Sequence, residues 1–167
     1  MLKLDAGRPA GDPATQASPL GSEHREELRL WLRLLTCTTL VESEVRRRLR
    51  AKFGLTLPRF DLMAQLDRAP DGLTLGDLSR RLMVSNGNVT GLVERLAASG
   101  QVERVPNAID RRVVRVRLTA AGRAAFARMA RAHAGWIAEL LGGLTAEEGQ
   151  VLIRLLDRLK HTLRERE

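Results

Sequence analysis

The chain has 167 residues, 44% of them hydrophobic and 29% charged, which suffices for one hydrophobic core and is typical of a globular protein. Its 28 Lys and Arg residues outnumber the 20 Asp and Glu residues and give a net charge of +8, which favours a polyanionic partner such as nucleic acid or an anionic membrane surface. No apolar run approaches the ~20 residues of a membrane-spanning helix and no secretory signal pattern begins the sequence, so we expect a cytoplasmic protein.

The first part of the chain predicts a flexible arm followed by a long helix. Residues 1–21 hold three of the six prolines and lack a core-forming face, which indicates the arm. From Ser22 to about Phe53, apolar residues recur at steps of three and four, as in an amphipathic helix. The basic end of this helix contains Arg46, Arg47 and Arg48. A solvated helix end, stabilised by the helix dipole, explains these arginines as well as a binding site does.

The centre of the chain predicts a second helix and then two short helices separated by a tight turn. Pro58 suits the first turn of the second helix, which the turn at residues 69–72 ends. Thr74 and Asp77 have the spacing of a capping box that begins the first short helix. The second short helix runs from Asn86 to about Ser99. Two such helices are the arrangement of a helix-turn-helix.

The second short helix has an unusual outward side. Gly87 and Gly91 point away from its apolar side, although a glycine inside a helix costs about 1 kcal/mol relative to alanine. Close approach to a phosphate backbone or groove floor explains the two glycines together. For either glycine alone, an exposed position that tolerates any residue is an equally good explanation. Amide and guanidinium groups read base edges, and hydroxyl groups hold phosphates. The predicted base contacts are Asn86, Asn88 and Arg95, and the predicted phosphate contacts are Ser85 and Thr90.

An alternating apolar pattern after this helix predicts two strands joined by a loop at residues 106–112. Arg112 near the loop tip is suited to enter a minor groove, with Asp110 holding its guanidinium group extended. A surface ion pair of little energetic consequence is the alternative interpretation. The arginines expected to face phosphates or solvent are Arg111, Arg115 and Arg117.

Two helices complete the chain. One begins at Thr119, and the other begins with a reciprocal cap between Thr145 and Glu148. The fold class is therefore mainly α with a small β-hairpin wing. The long terminal helices carry more apolar surface than one small domain covers, which predicts a homodimer. The expected division is a dimerisation region of residues 22–57 and 119–167 and a winged helix-turn-helix DNA-binding domain of residues 58–118.

This order of elements, with the segment from Leu73 to Leu96, resembles the MarR family of bacterial transcriptional regulators over about residues 22–164. The most specific parts are the sequence Asp110-Arg111-Arg112 and the helix start Leu118-Thr119-Ala120-Ala121-Gly122. The resemblance implies a nucleoid-associated homodimer on a pseudo-palindromic operator, with Arg112 in the minor groove and Asp110 as its brace. It also implies a repressor without a cofactor, released by a small molecule such as an aromatic acid or its coenzyme A thioester.

The resemblance implies an effector pocket between the first, second and fifth helices. Its candidate lining residues, each explained at least as well by core packing, are Trp31, Phe60, Met63, His133 and Trp136. The arginines Arg46, Arg47 and Arg48 would suit the phosphates of a coenzyme A thioester. The stretch from Leu57 through the recognition helix also resembles the hydroxycinnamoyl-CoA-responsive branch of the family.

Other functions have weaker support in the sequence. A redox sensor acting through Cys37 is an alternative, but a single cysteine in a mainly apolar helix is better explained as a buried small hydrophobe. The three histidines, His24, His133 and His161, are scattered, so no metal site is predicted. No motif of a nucleophile or phosphate-binding loop is present, so we predict no enzyme. A ligand-independent architectural DNA-binding protein stays open as an alternative.

Overall fold

The computed structural model of the chain describes residues 24–106 and 113–165, which excludes the predicted N-terminal arm. Internal contacts divide the chain into two units, one ending at Thr39 and the other beginning at Leu40. The predicted division into a dimerisation region and a DNA-binding domain stays a prediction. The elements are α1 (Arg25–Phe53), α2 (Leu57–Asp67), α3 (Leu75–Leu82), α4 (Asn86–Ala98), β1 (Val102–Pro106), β2 (Val114–Leu118), α5 (Ala120–Leu140) and α6 (Ala146–Arg164). The predicted fold class, mainly helical with one hairpin, is confirmed.

The second unit has a hydrophobic core to which α2, α3, α4 and the hairpin contribute. Helix α2 buries four side chains, including Leu62 and Met63, which have no exposed surface. Helix α4 contributes Val89 and Val93, which are also fully buried. Because aliphatic side chains are close-packed here, α3 and α4 are held as one rigid pair on the rest of the unit.

The hairpin is attached to the connection between α2 and α3. Strands β1 and β2 pair antiparallel, and Leu73 forms an isolated bridge with Val116 of β2. Gly72 has a φ of +83°, and a Cβ atom at this position would lie 2.7 Å from the carbonyl oxygen of Val116. The guanidinium group of Arg115 donates to the carbonyl oxygen of Gly72 at 2.9 Å. Arg115, which we expected to face phosphates or solvent, is half-buried, and this hydrogen bond fastens the hairpin to the α2–α3 turn.

The helix start that carries part of the family resemblance has a packing explanation. The Thr119 hydroxyl accepts a hydrogen bond from the Gly122 amide at 2.9 Å and donates to the carbonyl oxygen of Gly100 at 2.7 Å. A Cβ atom on Gly122 would lie 1.9 Å from the backbone oxygen of Gln101. Thr119 therefore caps α5, and Gly122 allows the first turn of α5 to contact the backbone that follows α4.

Helix α6 differs from the core helices. Its predicted reciprocal cap is confirmed, because the Thr145 hydroxyl accepts from the Glu148 amide at 3.2 Å and the Glu148 carboxylate accepts from the Thr145 amide at 2.8 Å. No residue of α6 is buried. Its large exposed hydrophobic residues are Val151, Leu152, Ile153, Leu155, Leu156, Leu159 and Leu163. Within residues 24–106 and 113–165, none of the helices has both the length and the apolar character to cross a membrane.

The described part of the first unit, residues 24–39, is also largely exposed. Trp31 exposes 56% of its surface. Cys37 is exposed as well, so the expectation of a buried small hydrophobe is wrong for the single chain. Burial is thus no longer an argument against a redox role, although the sequence has no second cysteine that would form an internal disulfide.

Candidate nucleic-acid interface

The angle between α3 and α4 is set by a cap and a tight turn. The predicted capping box is present, with the Thr74 hydroxyl 3.1 Å from the Asp77 amide. Hydrogen bonds from the Thr74 hydroxyl and amide lower the pKa of Asp77. Helix α3 ends at Met83, which has a left-handed backbone with φ of 53° and ψ of 40°. The Ser79 hydroxyl then donates to the carbonyl oxygen of Val84 at 2.5 Å, which closes the turn before α4.

Helix α4 presents two contrasting sides. On the apolar side, Val89, Val93 and Leu96 are buried against the unit, whereas Leu92 is only half-buried. On the other side, an added Cβ atom at Gly87 or Gly91 would meet no described atom within 4 Å. Contacts within residues 24–106 and 113–165 thus give no reason for either glycine.

The predicted base and phosphate contacts of α4 lie where a DNA duplex can reach them. Asn86, Asn88 and Arg95 are all exposed. The Ser85 hydroxyl caps α4 by accepting from the Asn88 amide at 3.4 Å, which leaves its own proton free to donate. The Thr90 hydroxyl donates to the carbonyl oxygen of Asn86 at 3.0 Å, so it meets a ligand only as an acceptor unless that bond breaks. A donor to phosphate is therefore better provided by Ser85 than by Thr90.

The hairpin is the predicted second part of the interface. Its tip residues Asp110, Arg111 and Arg112 lie outside the described residues, so their predicted roles stay predictions. On the strands, Arg117 forms an ion pair with Glu103 at 2.8 Å, and both side chains are 44% exposed.

An arginine-rich cleft of about 840 Å³ lies beside α4. Its lining residues are Arg46, Arg47, Arg50, Ala51, Thr56, Leu57, Pro58, Leu92 and Arg95. The sequence predicted Arg46 and Arg47 as effector contacts but missed Arg50, which belongs to the same basic run. It also assigned Arg95 to DNA alone, because nothing in the sequence shows that α4 lies beside the end of α1.

The arginines of α1 are not equivalent. Arg46 pairs with Glu42 at 2.5 Å, and Arg47 pairs with Glu44 at 2.6 Å. Arg48 does not line the cleft, since its guanidinium group donates to both carboxylate oxygens of Glu139 at 2.6 and 2.8 Å and also to Glu44. Hydrogen bonds from Arg47 and Arg48 lower the pKa of Glu44 to about 2. These carboxylates leave Arg48 with less capacity for a ligand than Arg47.

For Arg50 and Arg95, no ion pair is present among the described residues. The cleft therefore keeps guanidinium groups without a protein anion. Such groups are suited to bind a carboxylate or phosphate.

Most of the predicted aromatic pocket residues are packed with one another in the core. The rings of Phe60 and His133 lie 4.9 Å apart, and the rings of Phe53 and Trp136 lie 6.2 Å apart. Met63 is fully buried. Burial also lowers the pKa of His133. Within the second unit, these contacts are those of core packing. The remaining candidate, Trp31, is exposed and belongs to the first unit.

The paired helices and the attached hairpin define a winged helix-turn-helix DNA-binding protein. A model of the MarR family matches residues 53–113. The chain is 34% identical over 142 residues to the transcriptional activatory protein BadR of Rhodopseudomonas palustris, and the alignment covers 79% of each chain. The chain therefore belongs to the MarR family, is a transcriptional regulator and is not an enzyme.

Two solved structures show the same fold. The MarR family transcriptional regulator from Silicibacter pomeroyi is 36% identical, with a TM-score of 0.70 and coverage of 89% of this chain and 100% of that chain. A mutant MarR from E. coli complexed with operator DNA is 27% identical, with a TM-score of 0.70 and coverage of 82% and 97%. The second match agrees with a DNA-binding role for the chain.

Proposed function

We propose that this chain is a homodimeric repressor that reads a pseudo-palindromic operator with α4 and leaves it when an anionic aromatic ligand binds. The observation that carries the proposal is the position of Arg95. This exposed residue lies on the helix predicted to read bases and also lines the arginine-rich cleft. A ligand that holds Arg95 in the cleft competes with DNA for the same guanidinium group.

The outward side of α4 supports base reading by close approach. A recognition helix lies in the major groove with its N-terminal residues near base edges. Asn86 and Asn88 occupy the first turn of α4, and Gly87 and Gly91 face open space beside them. An absent side chain allows the helix backbone to lie closer to the duplex, which offsets the cost of two helical glycines.

Gly91→Ala tests this interface, with Gly135→Ala in α5 as the matched control. Both positions are helical glycines whose added Cβ atom meets nothing within 4 Å, so each alanine should stabilise the protein by up to about 1 kcal/mol. The operator is first selected from random duplexes with the unchanged protein. We expect Gly91→Ala to weaken operator binding about tenfold and Gly135→Ala to leave it unchanged. Equal operator affinities would overturn the proposed interface.

Selection also separates a regulator from an architectural protein. A regulator enriches a discrete inverted repeat and protects it in footprinting, whereas an architectural protein coats duplexes with little preference. An inverted repeat is expected because a twofold dimer presents two identical recognition helices about one helical turn apart, ~34 Å. The exposed apolar residues of α6 provide a surface for such a dimer.

The cleft supports an effector that is both anionic and aromatic. Its volume of about 840 Å³ lies in the range of small-molecule sites, ~300–1,000 Å³. Leu57, Pro58 and Leu92 provide apolar surface for a ring, and the arginines bind carboxylate or phosphate. A coenzyme A thioester uses both features, since it adds phosphates to the aromatic acid.

Calorimetry with hydroxycinnamic acid and hydroxycinnamoyl-CoA tests the effector. We expect the thioester to bind more tightly, Arg50→Ala to weaken its binding about tenfold, and Arg128→Ala, an exposed arginine outside the cleft, to have no effect. Equal affinity for acid and thioester would remove the role of the phosphates. One relative is described as an activatory protein. If bound ligand raised operator affinity, release from the operator would be wrong and activation would replace it.

A further inference from the structure

Met83 is an unusual residue in the turn between α3 and α4. Its side chain is 92% exposed, the largest value among the exposed large hydrophobic residues that the structure describes. The next residue, Val84, is 37% exposed, so the turn presents apolar surface to solvent. Among the residues that the structure describes, this surface has no packing role, because the core of the unit lies on the inward side of both helices.

The backbone of Met83 is unusual as well. Within residues 24–106 and 113–165, only His24 and Met83 have a positive φ without being glycine. The left-handed conformation is unfavourable for a residue with a Cβ atom, and glycine is the usual choice at the end of a helix. The chain thus has a strained residue with an exposed apolar side chain at a position where glycine would remove both the strain and that side chain. Strained residues that persist cluster at binding and active sites.

Hydrogen bonds hold this turn in place. The Met83 amide donates to the carbonyl oxygen of Arg80 at 3.4 Å, and the Val84 amide donates to that of Ser79 at 3.2 Å. The Ser79 hydroxyl closes the turn on the carbonyl oxygen of Val84. The Met83 side chain therefore projects from a fixed backbone, so its position relative to α4 is defined.

The turn continues the surface assigned to the operator. Met83 lies two residues before Ser85, the N-cap of α4, and the N-terminal residues of a recognition helix contact base edges. The preceding Arg80 and Arg81 are both exposed. Arg80 pairs with Asp77, so the positive charge at this edge comes mainly from Arg81. A phosphate backbone attracted there lies beside the thioether.

We propose that Met83 is a further operator-contacting residue, whose side chain packs on apolar atoms of the duplex, either a thymine methyl group or deoxyribose carbons. This inference rests on the proposed reading of DNA by α3 and α4. A flexible thioether adapts its shape to such atoms, and thymine methyl groups are recognised by apolar contacts. The contact explains why an exposed methionine is kept in a strained conformation.

Three substitutions separate this contact from a structural role. Met83→Leu keeps an apolar side chain of similar size, Met83→Gln keeps the length but is polar, and Met83→Gly removes the side chain and the left-handed strain. We expect Leu to stay within about twofold of the unchanged operator affinity, and Gln and Gly to weaken binding about three- to tenfold. The Tm of the Gly variant should not fall, since glycine accepts the backbone conformation.

The source of the apolar atoms is identified with the selected operator in which single thymines are replaced by uracil, which removes only the methyl group. If a thymine methyl is the contact, one replacement weakens binding by the unchanged protein and has no effect on the Gly variant. If deoxyribose is the contact, no single uracil replacement weakens binding by the unchanged protein without also weakening binding by the Gly variant. A Gly variant with unchanged affinity, or a Leu variant as weak as Gln, overturns the inference. Failure of the unchanged protein to enrich any duplex overturns the proposed function instead.

Discussion

Helices α4 and α6 begin alike but have opposite surfaces. Each has a side-chain cap at its first turn, from Ser85 in α4 and from Thr145 in α6. Helix α4 buries its apolar side in the chain and exposes glycines and amides, whereas α6 buries nothing and exposes a row of leucines. Because exposed apolar surface is costly in water, we expect α6 to pack against a second protein surface, whereas the polar outward side of α4 suits a hydrated, charged partner. The two helices therefore indicate two different interfaces.

The largest expected effect comes from breaking the packing on which α4 depends. Gly122→Ala would place a methyl group 1.9 Å from the backbone oxygen of Gln101, in the connection between α4 and β1. We expect a loss of about 3 kcal/mol or more in the free energy of unfolding, measured with urea, because two backbones must move apart. Gly135→Ala in the same helix has room for its methyl group and serves as the control. A Gly122→Ala protein as stable as the Gly135→Ala control would contradict the close contact.

Charges on α6 test the other half of the comparison. Leu152→Glu combined with Leu156→Glu places two carboxylates on one side of the helix. We expect dissociation to monomers in analytical ultracentrifugation and loss of operator binding, with helix content by circular dichroism retained because α6 buries no residue in the single chain. Gln150→Glu combined with Arg154→Glu, on the polar side of α6, should leave the dimer intact. An unchanged protein that sediments as a monomer would exclude the dimer altogether.

The smallest expected effect is a pH dependence of stability caused by His133, a half-buried residue of the unit that contains α4. Burial beside Phe60 lowers the pKa of His133 below its usual value of 6.5. The unfolded chain therefore takes up a proton at this residue at a higher pH than the folded chain does, so stability is complete above about pH 6.5 and decreases as the pH falls from there toward the folded pKa.

His133→Gln should reduce the difference between the unfolding free energies measured at pH 7.5 and pH 5.5. The exposed His24→Gln is the control and should leave that difference unchanged. The same pH difference in the protein with and without His133 would show that other groups cause it.

The local features of the site were predicted well because they depend on neighbours in sequence. Both reciprocal caps join residues three positions apart, and the inward row Val89, Val93 and Leu96 follows from helical periodicity. The glycines of α4 were correctly placed on its outward side for the same reason. The tip of the hairpin, with Arg112, remains a prediction.

The long-range features were not predictable in this way. Arg115 is bound to Gly72, 43 residues away, and Arg48 is bound to Glu139, 91 residues away. The exposure of Cys37 was missed because an apolar sequence indicates a face that avoids water. It does not show whether the same chain or a second one would cover that face.

The sequence by itself determined the helices, their caps, the hairpin and the outward glycines, because short-range hydrogen bonds and the 3.6-residue period act within one segment. Only the tertiary structure decided which arginines share a cleft with α4, which are neutralised by carboxylates and which fasten the hairpin. The physical reason is that guanidinium groups in one basic run are chemically identical, and only the neighbours brought by folding distinguish them.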